Sequence, residues 1–173
     1  MSAQHESAFR AFAVTRRPTL RRTAYLLCGD WHQADDLVQT ALVKLYVAWP
    51  RIRDKEPPDG YTHRILVRCY LDDRRRPWRR ELPVEAVADR GAPDSVMAEL
   101  LDLRAALARL PKRQRATLLL RFWLDESVAQ TADALGCSEG TVKSQTARAL
   151  NTLRRLLDDP VLGDPPLVTK ESS

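Results

Sequence analysis

SVAQTADALGCSEGTVKSQTARALNTL, residues 127–153, reads as two short helices joined by a glycine turn. Val128, Ala129, Ala132 and Leu135 recur at helical spacing, and Gly136 ends that helix, because only glycine takes a left-handed turn at no steric cost. Ser138, three residues before Thr141, caps the start of the next helix. Within that helix Val142, Ala149, Leu150 and Leu153 share one face and pack inward. Lys143, Ser144, Ala147 and Arg148 lie on the opposite face. Those side chains are short or cationic, as a helix needs to be if it approaches base edges and phosphates. The pattern is that of a helix-turn-helix; read locally, it also fits an ordinary helical hairpin with a solvated basic face.

Working outward, 173 residues give room for two small domains or one ordinary one. The formal charge of +5 is unevenly spread: residues 1–82 hold 16 Lys/Arg against 10 Asp/Glu, and residues 158–173 hold one Lys against four acids. A basic body favours a polyanionic partner. Cys28, Cys69 and Cys137 are far apart, odd in number and without a CxxC pair, so neither a disulfide framework nor a zinc site is indicated. Met1 is followed by a polar segment with no apolar leader, and no later apolar run approaches a membrane span. The expectation is a soluble chain of the reducing cytoplasm, with no membrane partner.

Apolar periodicity is helical almost everywhere, which predicts an all-α protein. A first helix over 7–27 offers Phe9, Phe12, Ala13, Leu20, Tyr25 and Leu26 to a core, with Pro18 kinking or restarting it. Cys28, Gly29 and Asp30 form a break. A second helix over 31–49, opened by Asp35 and Asp36 at the positive end of its dipole, ends at Pro50. The polar segment RIRDKEPPDG (51–60) is a loop, and a third helix runs over 61–76. Residues 1–82 then form one helical bundle. Residues 83–93 have two prolines, a glycine and little apolar content, and read as a flexible linker. A second unit over 94–157 contains a helix over 95–110, a break at Pro111, a helix over 113–123 and the helix-turn-helix. Residues 158–173 are short and Pro-rich, and are expected to be disordered.

The third helix interleaves Tyr61, His63, Arg64, Arg68, Tyr70, Arg74, Arg75, Arg76, Trp78, Arg79 and Arg80, while Ile65, Leu66, Val67 and Leu71 supply buried positions. Arginines at this density track phosphates, and ring faces beside them stack on unpaired bases at about 1–3 kcal/mol each. Single-stranded or melted DNA fits; a solvated basic helix end is the alternative, and Trp78 could equally cover the end of the bundle. In the second helix Leu37, Ala41, Leu42, Leu45 and Trp49 make the core stripe and leave Asp35, Asp36, Gln39, Thr40 and Lys44 outside or at its margin. Such a polar face suits docking to a basic protein surface, or plain solvent.

The order of these parts resembles an extracytoplasmic-function (group IV) sigma factor of the sigma-70 family, of the actinobacterial SigE-family type. The residues that carry the resemblance are GDWHQADDLVQTAL (29–42), GYTHRILVRCYLDDRRRPWRRE (60–81), ALARLPKRQRATLLLRFWLDES (106–127) and GCSEGTVKSQTARALNTLRRL (136–156). It spans residues from about 7 to 157. The resemblance implies a sigma domain 2 over 1–82, the linker over 83–93 and a sigma domain 4 over 94–157. It implies a protein with no catalytic residues, which binds core RNA polymerase and promoter DNA and helps open that DNA. Many relatives are held by an anti-sigma factor, so such a partner is among those implied.

Carried onto this chain, the resemblance sets Asp35, Asp36, Gln39 and Thr40 against the clamp helices of the polymerase beta-prime subunit; the family often has Glu where Thr40 stands. The 51–60 loop, with Arg53, resembles one that captures a flipped base of the minus-ten element, and flipping costs a few kcal/mol that a pocket must return. Tyr61, Arg64, Arg68, Arg74, Arg75, Arg76 and Trp78 complete the minus-ten set. Many relatives carry Asn at the position of Arg68. In domain 4, Thr141, Lys143, Ser144, Ala147 and Arg148 would read the minus-thirty-five element, with Arg148 bidentate to guanine or else on phosphate. Gln145 and Thr146 stand where relatives often carry Arg and Leu. Lys112, Arg113 and Arg115 would meet DNA backbone or the polymerase beta flap.

Other classes fit less well. A stand-alone helix-turn-helix regulator leaves the DDLVQ face and the arginine-aromatic helix without a task. For an enzyme, His5, His32 and His63 are scattered, no phosphate-cradling GxxxxGK[ST] or GxGxxG loop occurs, and Asp35/Asp36 and Asp72/Asp73 are adjacent pairs that diverge on a helix. No metal, cofactor or small-molecule substrate is expected.

Overall fold

The computed structural model describes residues 3–52, 58–73 and 94–157. Every regular element among them is helical: α1 (Ala3–Cys28), α2 (Trp31–Ile52), α3 (Pro58–Asp72), α4 (Asp94–Ala108), α5 (Lys112–Leu118) leading into a π-helical turn (Leu119–Trp123), α6 (Val128–Leu135) and α7 (Glu139–Leu157). The all-α expectation holds. The segments assigned to the linker, over 83–93, and to the tail, over 158–173, lie outside the described residues.

Each boundary has a local cause. Gly29 adopts φ +78°, which closes α1 and turns the chain into α2. Asp30 then caps α2, its Oδ1 accepting from the backbone N–H of Gln33 at 2.7 Å. The cap is therefore Asp30; Asp35 and Asp36 lie a turn further in. Ser127 and Gln130 form a reciprocal capping box at the start of α6, and Gly136 (φ +62°) closes it while Cys137 N–H bonds back to Ala132 O at 3.0 Å. Ser138 Oγ accepts from Thr141 N–H at 3.1 Å and starts α7, as its spacing predicted.

The prolines behave differently from the sequence expectation. Pro18 and Pro50 lie inside α1 and α2, which continue through them. A proline in a helix interior costs about 3 kcal/mol. Beyond Pro18 the run from Thr23 to Cys28 is entirely buried, and beyond Pro50 the buried Ile52 joins Trp49 and Leu45 against Phe9 and Phe12, so packing outweighs the lost hydrogen bond. α3 opens at Pro58, three residues before Tyr61, with the proline in the first turn where its missing N–H is harmless. Its described part ends at Asp72, and residues 74–76 of the predicted third helix lie outside the described residues. In the second unit the predicted 95–110 helix ends at Ala108, and the predicted 113–123 helix begins at Lys112 and widens into the π turn, where Leu124 N–H reaches Leu119 O at 2.9 Å. Ala129, predicted to face inward on α6, is exposed; Thr131 and Ala134 are buried in its place.

α1, α2 and α3 pack on one another, as do α5, α6 and α7. The two units also touch: α4 crosses α1, and α6 lies on α3. Their apolar residues form one continuous cluster, running from Leu26, Leu27, Leu66 and Val67 to Leu107, Leu110, Leu120, Val142 and Ala149.

Candidate functional surfaces

The outer face of α2 presents Asp36, Gln39 and Thr40, all exposed. Val43 and Val47 continue that row one and two turns further, 59% and 75% exposed. A shallow groove between α1 and α2 runs beside them, lined by Phe9, Arg17, Gln39, Leu42, Val43 and Tyr46. The sequence reading found the polar half of this surface and missed the apolar half. Exposed valines are hidden in a helical stripe unless their phase relative to the core is known. Asp35 belongs elsewhere: Arg21 Nε lies 2.8 Å from its Oδ1, and the same guanidinium sits 4.4 Å from the Trp31 ring, which stacks on Tyr25 at 3.9 Å. Asp35 thus holds the α1–α2 corner.

On α3, Tyr61 is half-buried against Leu45, Trp49 and Ile52, and Arg64 lies 5.3 Å from its ring. Arg64 and Arg68 come together on one side of the helix, and both reach the second unit. Arg64 Nη1 is 3.3 Å from Asp133 Oδ2. Arg68 donates from Nη2 to Asp133 O at 2.7 Å and from Nε to Ala134 O at 3.2 Å. One turn earlier His63 Nδ1 stands 3.1 Å from Glu126 Oε1. Arg53, Arg74, Arg75, Arg76 and Trp78 lie outside the described residues.

On α7, Lys143, Ser144, Ala147 and Arg148 are exposed on one face, opposite the fully buried Val142 and Ala149. Leu150 and Leu153 pack partly buried against the same core. Thr141 is half-buried, with its hydroxyl 2.9 Å from Ser138 Oγ, so it belongs to the helix cap. Gln145 and Thr146 are half-buried beneath the exposed row.

The three cations at the start of α5 are not a free basic edge. Arg115 is 5% exposed. Its guanidinium donates to Leu27 O at 2.6 Å, Leu107 O at 2.9 Å, Leu110 O at 3.1 Å and Tyr70 Oη at 3.2 Å. Lys112 Nζ donates to Asp73 O at 3.0 Å and lies 4.6 Å from the Tyr70 ring; burial lowers its pKa, while Asp73 offsets part of that. Arg113 remains exposed but donates to Leu135 O at 2.9 Å. The expectation that these residues meet DNA or another protein is corrected here, because backbone carbonyls at helix ends take up their charge-assisted hydrogen bonds. Arg104, also buried, packs against Gly29, and burial followed by the charge of Arg115 lowers its pKa.

Among the described residues no group of His, Cys, Asp and Glu side chains is placed to hold a metal ion. Among them, too, no helix is long and apolar enough to cross a membrane.

Residues 12–80 match the sigma-70 region 2 family, and residues 100–153 match sigma-70, region 4. The chain is 39% identical to the RNA polymerase sigma-E factor of Streptomyces avermitilis over 155 residues, covering 87% of this chain and 85% of that protein. It is 37% identical over 142 residues to the ECF RNA polymerase sigma factor SigM of Mycobacterium tuberculosis, covering 80% and 71%. The fold is similar to that of the sigma factor RpoE from Bartonella quintana, solved in complex with the anti-sigma factor NepR, at a TM-score of 0.67 and 26% identity over 87% of this chain and 96% of that one. With region 2 lying over α1–α3, region 4 over α4–α7 and relatives that match along most of their length, the chain belongs to the extracytoplasmic-function group of sigma-70 RNA polymerase sigma factors.

Proposed function

We propose that this sigma factor binds core RNA polymerase through the outer face of α2, with Asp36, Gln39 and Thr40 as polar contacts and Val43 and Val47 as the apolar part of the same surface. Asp35 acts indirectly, by fixing the corner from which α2 starts. Residues 1–82 act as the minus-ten unit, with Tyr61, Arg64 and Arg68 on α3 and Arg53, Arg74, Arg75, Arg76 and Trp78 from the flanking segments. Residues 94–157 act as the minus-thirty-five unit through Lys143, Ser144, Ala147 and Arg148. Thr141 sets the start of that helix. The chain supplies recognition and strand opening, the polymerase supplies the chemistry, and the complex works in the cytoplasm. An anti-sigma factor is a further partner this reading allows.

One observation carries the reading: two separate outward faces, one mixed polar and apolar on α2 and one short-chained and cationic on α7, stand on opposite units of one chain. A lone helix-turn-helix needs only the second. Run-off transcription on a library of genomic upstream DNA, with purified core polymerase, tests the proposal. Transcripts that appear only with the chain and share two spaced upstream elements support it. Core polymerase that neither binds the chain nor gains new start sites would return the reading to a free DNA-binding regulator.

A further inference from the structure

Arg64 and Arg68 are both turned onto the C-terminal end of α6. The last carbonyls of a helix lack intrahelical partners, and the macrodipole makes that end negative. Gly136 turns the chain away there, and the carbonyls of Asp133 and Ala134 face the Arg68 guanidinium at 2.7 and 3.2 Å. The Asp133 carboxylate adds a charge, 3.3 Å from Arg64 and 3.9 Å from Arg68. Beside this cluster the nearly buried Glu126 carboxylate meets His63, and Trp123 Nε1–H donates to Thr23 Oγ1 at 3.1 Å. A cluster of carboxylate and carbonyl oxygens therefore occupies the guanidinium donors that a phosphate backbone would use.

We propose that the C-terminal end of α6 is an internal occupant of the nucleic-acid face of α3, so that the closed arrangement of the two units and DNA binding by Arg64 and Arg68 exclude one another. This rests on the reading of α3 as the DNA-facing helix given above. The free chain is then self-masked. Its apparent affinity for DNA falls in proportion to the fraction of molecules in which α6 is lifted from α3, and anything that separates the units raises that affinity. Arg68 is the residue on which the two states turn, since its long planar fork spans two successive carbonyls that a shorter amide could not reach together.

The test uses the full chain without polymerase and a mixed-sequence single-stranded oligonucleotide of about 20 bases as probe. Asp133→Arg places a cation against Arg64 and Arg68, whereas Asp102→Arg makes the same change in net charge at an exposed site on α4. Asp133→Arg is expected to bind the probe about tenfold more tightly than Asp102→Arg, as release from a mostly closed population requires. Small-angle scattering of the wild-type chain is expected to report a compact particle. Should Asp133→Arg lose helical circular dichroism, Asp133→Asn against Asp102→Asn makes the same comparison, with about threefold expected. Equal affinities in the pair, or a wild-type scattering curve of two separated bodies, overturns the proposal. Because polymerase is absent, these outcomes stand apart from failure of the run-off experiment, which would remove the sigma reading alone.

Discussion

Arg115 on α5 donates from Nη1 to the backbone carbonyl of Leu27, at the C-terminal end of α1, across 2.6 Å and 88 positions of sequence. This bond and those to Leu107, Leu110 and Tyr70 make one guanidinium the junction of α1, α3, α4 and α5. Replacing it with Met leaves several buried acceptors unsatisfied, at about 1–3 kcal/mol each. Arg115→Met is expected to lower unfolding stability by about 3 kcal/mol or more, and Arg115→Lys by roughly half as much, since an ammonium serves fewer of those acceptors. Urea denaturation followed by circular dichroism reads both; a loss under about 1 kcal/mol for Met would show that the junction is not formed in solution.

The two left-handed glycines should differ in their tolerance of alanine. At Gly136 a Cβ meets nothing, so Gly136→Ala carries only the backbone penalty, about 1–2 kcal/mol. At Gly29 a Cβ would run into the guanidinium of the buried Arg104 as well. Gly29→Ala is expected to cost about 3 kcal/mol or more, with Arg104 displaced. Thermal melts of the two variants side by side check the order, and equal losses would mean that Arg104 yields freely.

For the α2 face, Asp36→Ala combined with Gln39→Ala is expected to weaken core polymerase binding by about tenfold or more while leaving the melting temperature within a degree or two. Val43→Asp should do the same through the apolar half. Unaltered holoenzyme assembly in a fluorescence titration would move the docking surface elsewhere on the chain.

Arg148→Ala is expected to cost about 1–3 kcal/mol in promoter binding by the holoenzyme and to relax preference at one base of the upstream element. A uniform loss across all sequences, with a shallower salt dependence, would assign Arg148 to phosphate instead.

Burial pushes the Cys28 thiol up to about 11, although its hydrogen bond to Asp30 O and the charge of Arg104 pull the other way. Above pH 9.0, the ordinary value for a thiol, the unfolded chain gives up this proton while the native chain keeps it up to about 11. The contribution to stability is thus complete below that range and is lost as pH rises through it. At neutral pH native Cys28 should resist maleimide while the half-buried Cys137 reacts, and mass-spectrometric mapping after brief labelling separates the two.

What was legible in the sequence follows from the range of the forces involved. Ser127, Gly136 and Ser138 act within three or four residues, and all three caps stand where their spacing put them. The outward and inward faces of α7 were equally local, fixed by one helical period. Arg115 and Lys112 were misread because an arginine or lysine at a helix start is normally solvated, and nothing nearby in sequence announces that carbonyls at Leu27 and Asp73 await them. Asp35 was misread for the same reason, its partner Arg21 lying on another helix. Pro18 and Pro50 follow a local rule that distant packing overrode.

The continuous apolar seam between the units limits what an open chain can do in water. Leu107 and Leu110 of the second unit share one cluster with Leu26 and Leu27 of the first, so full separation of the units wets leucines that are at most 3% exposed when they are together. An opened molecule with no companion is a sticky one, drawn to reclose, to aggregate or to be degraded. Its useful lifetime apart is therefore short, and separation is best completed on the surface of a second protein that shelters the seam as it parts.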